Sequence, residues 1–264
     1  MAHSTASSTG PAAAERARAV RAAASRRQVR VVKAIVAAVV LAAALVAGGV
    51  LALVTTWWAG PFAFVVVAAA LWGGVVVPRS SRAEERVLHS IGRVRDADVR
   101  SEARFLNLVD GLVPSAGLSR PRCLVIDDPA RNALVLGRNP RHSFLVATRG
   151  LLDATTRMEL EGVVASALVA IRDGLVAAPT LALALGGARL LRVVGEPPPA
   201  AEADLAAVNL TRYPPGLAAA YRRILEAGPP SAPAGSDATV DRFWLVQPGD
   251  AAALTARAGV LEEL

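Results

Sequence analysis

Residues 34–77 read AIVAAVVLAAALVAGGVLALVTTWWAGPFAFVVVAAALWGGVVV, and this stretch decides the fold class. It contains two uncharged runs of 21 residues, 34–54 and 57–77, separated only by Thr55-Thr56. A helix of that length, at about 1.5 Å per residue, matches a hydrocarbon core about 30 Å thick. The first run is too long, and starts too far from Met1, for a signal peptide. We therefore predict a transmembrane helical hairpin rather than a pair of buried core helices.

The basic residues indicate how this hairpin is oriented. The net charge is +7, and residues 1–33 contribute seven Arg or Lys against one acid, Glu15. Further Arg side chains follow the second run. Because positive flanks stay on the cytoplasmic side, we expect a multi-pass protein of the plasma membrane with both termini cytoplasmic. We expect the basic tail to be disordered before a juxtamembrane helix, and to contact membrane lipids, with no nucleic acid as a partner.

The rest of the chain predicts an α+β domain. Residues 84–113 have helical apolar spacing, and short strands are expected at 122–126, 133–136 and 143–148. A helix should start at Thr155 or Thr156, with Glu159 as part of its cap, and run to about Arg172. The uncharged run 175–188 is short, so we expect it not to span the membrane. The predicted divisions are a tail (1–33), two transmembrane helices (34–77), a domain (78–225) and a linker with a docking strand and C-terminal helix (226–264).

Four motifs follow one another within this domain. They are Asn-Ala-x-x-x-Gly at 132–137, Gly-Arg-Asn-Pro at 137–140, Thr-x-Gly-Leu-Leu at 148–152 and Glu-Leu-Glu-Gly-Val at 159–163. An Ala-Asp pair comes later, at 203–204. In this order the motifs resemble the HtpX-like zinc endopeptidases of bacterial membranes, over most of residues 31–225. The resemblance implies a degenerate zincin-like cytoplasmic domain, mostly α with a small β-sheet, after the membrane hairpin.

The resemblance also locates the metal site of that family. There, a His-Glu-x-x-His helix holds zinc through two His, its Glu activates a water, and a later helix supplies another Glu ligand. The matching positions in this chain are Ser166, Ala167, Ala170 and Ala200. No other candidate ligand has a suitably spaced partner, and these candidates are His3, His89, His142 and Cys123. The resemblance thus predicts no catalytic residues, no metal and no zinc cofactor, and a chain that is not an enzyme.

Three functions follow as hypotheses. The first is an inactive homologue, a pseudoprotease, that binds peptide or membrane-protein clients as a scaffold or regulator in membrane-protein quality control. Its peptide-binding edge strand would comprise Asn132, Ala133, Leu134, Val135, Leu136 and Gly137. The second is an active zinc metalloendopeptidase with displaced or partner-donated ligands. The third is a purely structural membrane protein that forms an oligomer through Gly48-Gly49 and Gly73-Gly74.

Overall fold

A computed structural model describes residues 11–54, 59–195 and 200–264. Helix α1 (Pro11–Val54) is continuous over 44 residues, and α2 (Ala59–Leu71), a π-helical turn (Trp72–Val76) and α3 (Val77–Ser81) return alongside it. These helices are long and apolar enough to cross a membrane, which confirms the predicted N-terminal membrane region. The predicted loop at Thr55-Thr56, and His3 in the tail, lie outside the described residues.

The basic arm differs from its prediction as a disordered tail. Helix α1 already begins at Pro11, and its N-terminal part packs on the domain. Arg21 Nε lies 2.8 Å from Asp173 Oδ2, and both side chains are buried. The Ser25 hydroxyl donates to the Gly174 carbonyl. The expected juxtamembrane helix is thus longer than predicted, and its contact with the domain was not foreseen because no local signal shows that a carboxylate 152 residues away pairs with this arm.

Eight further helices build the described part of the domain. Their bounds are α4 (Ala83–His89), α5 (Ala103–Ala116), α6 (Arg149–Ala154), α7 (Arg157–Arg172), α8 (Ala177–Val194), α9 (Ala200–Thr211), α10 (Pro214–Leu225) and α11 (Ala251–Glu262), with a 3-10 turn at Ala238–Phe243. Helix α7 starts and ends as predicted. Its cap is a reciprocal box, in which the Thr156 hydroxyl accepts from the Glu159 N–H and the Glu159 carboxylate accepts from the Thr156 N–H.

Four strands form one small sheet with the order β1-β2-β4-β3. They are β1 (Arg95–Asp96), β2 (Arg122–Ile126), β3 (Ala133–Asn139) and β4 (His142–Thr148). Strands β3 and β4 form an antiparallel hairpin, and β2 runs parallel to β4. The predicted α+β fold after a membrane region is therefore confirmed, and β3 lies at the edge of the sheet.

Both faces of this sheet are covered. Val135 and Leu145 point to a core shared with α5, α7, α10 and α11, whereas the alternate residues Leu134 and Val146 pack against α4 and the 3-10 turn. Side chains on a strand alternate between faces, so a strand buried on both sides is apolar throughout. This explains why β2, β3 and β4 read as short continuous apolar runs.

Helix α8 extends the uncharged run that was expected not to span the membrane. The helical segment continues past Arg189 and Arg192 to Val194, 18 residues in all, but it is kinked at Gly187, whose φ of 60° and ψ of -155° are not helical. Its length and composition make it a third candidate span, although half of its most apolar window is buried inside the protein. It packs against α1, where Val32 meets Ala178, Leu181 and Ala182.

The hairpin holds its two helices together through glycine. A Cβ added to Gly48 would lie 2.8 Å from the Gly60 carbonyl oxygen, whereas one added to Gly49, Gly73 or Gly74 would meet nothing within 4 Å. Gly48 thus packs against α2 of the same chain, whereas the oligomer hypothesis had expected it to pack against a second copy of the chain.

We predict that Gly48→Leu destabilises the protein by about 1–3 kcal/mol, because the side chain must push the α2 backbone away. The neighbouring Gly49→Leu adds the same side chain in open space and should leave stability almost unchanged. Thermal unfolding of both purified variants in one detergent measures the difference. Equal midpoints would contradict this account of the hairpin.

Candidate functional site

Three of the four motif positions meet in one cavity, called here the cleft. Ser166, Ala167 and Ala170 lie on α7, and together with Val135 of β3 they line a space of about 490 Å³. The remaining wall comes from α8, α9, α11 and residues 242–247, the C-terminal segment. The fourth position, Ala200, is the first residue of α9, and its side chain lies outside the described part.

The local sequence explains why α7 can be buried in the domain core. Its face is built from small and branched apolar side chains, and Ser166 is its one buried hydroxyl. Gly162 lets α10 approach, since a Cβ there would lie 2.8 Å from the Leu217 backbone. Helix α7 is therefore enclosed by β3 on one side and by α9 and α10 on others.

The donor groups around the cleft do not fit a zinc ion. Asp250 is the single carboxylate among its described lining residues, which include no His or Cys, and it already caps α11 by accepting from the Ala253 N–H at 3.0 Å. Across residues 11–54, 59–195 and 200–264, no group of three or more His, Cys, Asp and Glu side chains could hold a metal. Zinc sites need three or four such ligands, so no chemical step is assigned to a metal here.

The other predicted candidates for ligands lie apart from the cleft. His89 ends α4 and His142 begins β4, in the turn where its ring contacts the Asn139 side chain. Cys123 is buried in β2, and burial raises the pKa of its thiol to about 11. A thiol with that pKa is unreactive at neutral pH, so Cys123 can report unfolding.

A buried polar network supports the floor of the cleft. The Tyr221 hydroxyl donates to Asp204 Oδ1 at 2.7 Å, and Arg257 Nε donates to Asp204 Oδ2 at 2.7 Å. Arg257 also donates to the Leu245 carbonyl at 3.0 Å, which ties the C-terminal segment to α9. Burial, with the adjacent Asp204 carboxylate, raises the pKa of Tyr221 well above 10, so this phenol stays protonated.

Sequence reasoning used Asp204 only as a landmark and missed its two partners. Tyr221 is fully buried, and Arg257 stands within an otherwise mostly apolar C-terminal helix. A lone Arg in such a helix is a signal for a buried ion pair, because an unpaired charge there would be costly. The partner itself lies 53 residues away and could not be identified from spacing.

The predicted peptide-binding strand lies at the edge of the sheet but is not open. Leu134 forms an antiparallel bridge with Trp244, and the Leu245 N–H donates to the Ala133 carbonyl at 2.7 Å. The Asn132 amide donates to the Val246 carbonyl at 2.7 Å.

The far end of this edge is also occupied. The Gly137 N–H donates to the Thr180 hydroxyl of α8 at 3.1 Å, and Leu136 lies in the core on the second face of the sheet. An incoming peptide can therefore pair with β3 only where the C-terminal segment gives way. Peptide binding at this edge stays a prediction, and the C-terminal segment, which the chain itself supplies, is the partner that a peptide would have to replace.

Known proteins give the context for this site. No protein-family model matches the chain, and no solved structure matches it. A protein named Protease HtpX homolog from Dictyoglomus turgidum is 30% identical over 184 residues, which cover 54% of this chain and 60% of that protein. Proteins of the same name from Dictyoglomus thermophilum and Limosilactobacillus fermentum are 36% and 37% identical, over 43% and 40% of this chain and 37% and 36% of their own lengths.

The fold is an α+β domain that follows N-terminal helices long and apolar enough to cross a membrane. The relatives support an HtpX-like family for this chain, and the resemblance drawn from its motifs is confirmed. The chain spans at most about 60% of the length of these relatives, and the loss of the motif remains a prediction.

The prediction that the chain is not an enzyme is overturned by these relatives. They are named proteases, which points to peptidase activity. The prediction rested on the identity of four motif positions, and those positions do not show that the chain is inactive.

We predict that Arg257→Gln destabilises the chain by about 3–5 kcal/mol, because it leaves the buried Asp204 carboxylate without its cation. Arg222→Gln is the matched control, since Arg222 forms an exposed ion pair with Glu262. Exposed ion pairs add little to stability, so this control should unfold at the same urea concentration as the unmodified chain. Urea unfolding, followed by the rate of Cys123 alkylation, measures both. A loss of similar size in the two variants would contradict the assigned role of the network.

Proposed function

We propose that this HtpX-like membrane protein binds an extended polypeptide in the cleft, with one strand of the peptide paired to β3. The observation that carries the proposal is the C-terminal segment, which already lies in an antiparallel bridge on β3 beside a cavity of about 490 Å³. Backbone groups at a sheet edge bind any sequence in extended form. The segment therefore marks the path that a peptide would follow.

The chemistry of the cleft favours apolar side chains in the peptide. Val135, Ala167 and Ala170 give it an apolar wall, and Pro179 and Leu254 continue that wall on α8 and α11. Alternate residues of an extended peptide point the same way, so every second side chain would enter the cleft. The remaining side chains would face away, which makes sequence requirements low.

This binding suits a role in membrane-protein quality control. Unfolded membrane proteins expose apolar segments, and the cleft sits on a domain anchored beside the bilayer. We place the protein in the plasma membrane with both termini cytoplasmic, supported by the basic residues on both flanks of the hairpin. It would act there as a scaffold or regulator for peptide or membrane-protein clients. Membrane lipids are further partners, and the transmembrane hairpin could also associate with a second copy of the chain. Nucleic acid is not expected to bind.

A second candidate function is favoured by the names of the relatives. Zinc peptidase activity would need metal ligands from outside the described lining of the cleft. These ligands would come either from displaced residues of this chain or from a partner protein. Bound peptide would then be cut as well as held. The same measurement that tests binding can therefore detect products.

We predict that Ala170→Phe weakens peptide binding at least tenfold, because the ring fills the cleft. Ala256→Phe places the same ring on the exposed side of α11 and should bind normally. The probe is a fluorescent peptide of alternating valine and threonine, titrated into the full chain in nanodiscs. Equal affinity of the two variants, or no saturable binding to the unmodified chain, would overturn the proposal. Mass spectrometry of the same samples detects cleavage, which would favour the second candidate.

We further predict that Asn132→Ala strengthens peptide binding, because the C-terminal segment then loses its clamp. Asn132 is fully buried, and its amide is bonded to both backbone groups of Val246. Faster hydrogen exchange at residues 244–246 should accompany tighter binding. Asn107→Ala, on the exposed face of α5, is the control. Faster exchange with unchanged or weaker binding would show that the segment does not compete with peptide.

A further inference from the structure

A second cavity, called here the arginine cavity, lies where α1 meets the domain. It has a volume of about 710 Å³ and lies between the N-terminal half of α1, the β3–β4 turn and the end of α7. Four guanidinium groups line it, from Arg26 and Arg30 on α1, Arg138 at the end of β3, and Arg172 at the end of α7. Asp173 is the one carboxylate among its described lining residues.

The charges in this cavity are not balanced within the chain. Asp173 is already bonded to Arg21 at 2.8 Å and to Arg172 at 2.9 Å. Arg138 lies 3.5 Å from the Glu84 carboxylate. Arg26 and Arg30, however, form no ion pair or hydrogen bond with any residue that the structure describes. They stand one helical turn apart on one face of α1, exposed at the mouth of the cavity.

The position of the cavity along α1 indicates which anion it would meet. The uncharged run begins at residue 34, so at about 1.5 Å per residue Arg30 lies about 6 Å and Arg26 about 12 Å before it. The polar headgroup layer adds about 5–8 Å to each side of a hydrocarbon core. The Arg30 side chain is therefore at the depth of the lipid headgroups, and the Arg26 side chain is long enough to bring its guanidinium group to the same layer.

Apolar surface adjoins the cavity on the membrane side. Ala177 belongs to its lining, and the apolar face of α8 that continues from there is buried against α1. Further along α1, Leu41 is 48% exposed and Leu45 is 65% exposed, and at 3.6 residues per turn both lie within about 60° of the face that carries Arg30. A ligand with a phosphate at one end and acyl chains at the other would match both surfaces. Guanidinium groups bind phosphate oxygens in pairs and are well suited to this contact.

We propose that the arginine cavity binds the headgroup phosphate of an anionic phospholipid. The lipid phosphate would lie between Arg26 and Arg30, with Arg138 and Arg172 behind it, and the acyl chains would run along the exposed apolar side chains of α1. This is a site for one lipid, beyond the general attraction of a basic arm to an anionic surface. It does not depend on what the cleft binds.

The test uses two double variants of the full chain. Arg26→Gln with Arg30→Gln removes the two unpaired groups of the cavity. Arg27→Gln with Lys33→Gln removes the same charge from exposed positions of α1 that do not line it. Each protein is placed in phosphatidylcholine nanodiscs with increasing phosphatidylglycerol. Native mass spectrometry then measures the phosphatidylglycerol retained on the released protein.

We expect the unmodified chain to retain one phosphatidylglycerol in preference to phosphatidylcholine. The cavity variant should need at least ten times more phosphatidylglycerol for half occupancy, and the control variant less than three times more. Equal changes in both variants, or no preference for phosphatidylglycerol, would overturn the proposal. Inorganic phosphate at matched concentration should not displace the lipid, and full displacement would assign the cavity to a soluble anion instead. Slow alkylation of the buried Cys123 thiol in both variants verifies that they are folded.

Discussion

The burial of helix α7 is the constraint on which the rest of the domain depends. Eleven of its sixteen residues are buried, so it must be covered on nearly every side by apolar partners. The sheet covers one side, and α5, α9 and α10 cover others. The side with Ser166, Ala167 and Ala170 has space beside it, and there the small side chains create the cleft. A cavity of this kind persists because the surrounding backbone cannot collapse onto residues that are already close-packed elsewhere.

Features written in local sequence could be predicted. The two apolar runs, the three short strands and the cap at Thr156 each depend on residues within a few positions of one another, and the structure contains all of them. The motif order placed Ser166, Ala167 and Ala170 together correctly, because they share one helix face. The similarity to proteins named Protease HtpX homolog followed from the same motifs.

Features formed by distant segments could not be predicted. The pairing of Asn132 with Val246 spans 114 positions, and that of Arg21 with Asp173 spans 152. No periodicity or spacing encodes such a contact. For this reason the docking of the basic arm on the domain, the position of the docking strand on β3, and the roles of Tyr221 and Arg257 were not predicted. The extent of α8 was missed for another reason, since a kink at Gly187 joins the uncharged run to a second helical stretch that carries Arg189 and Arg192.

The junction between α1 and the domain has a mechanical consequence. Because α1 is one uninterrupted helix and Arg21 fastens it to Asp173, it works as a rigid strut between bilayer and domain. The uncharged run begins thirteen positions after Arg21, which sets a distance of about 20 Å between Arg21 and the hydrocarbon core. A chain leaving the bilayer in extended form needs about six residues to cover that height. A client polypeptide that binds at that height, as the proposed function requires, has therefore already left the lipid surface.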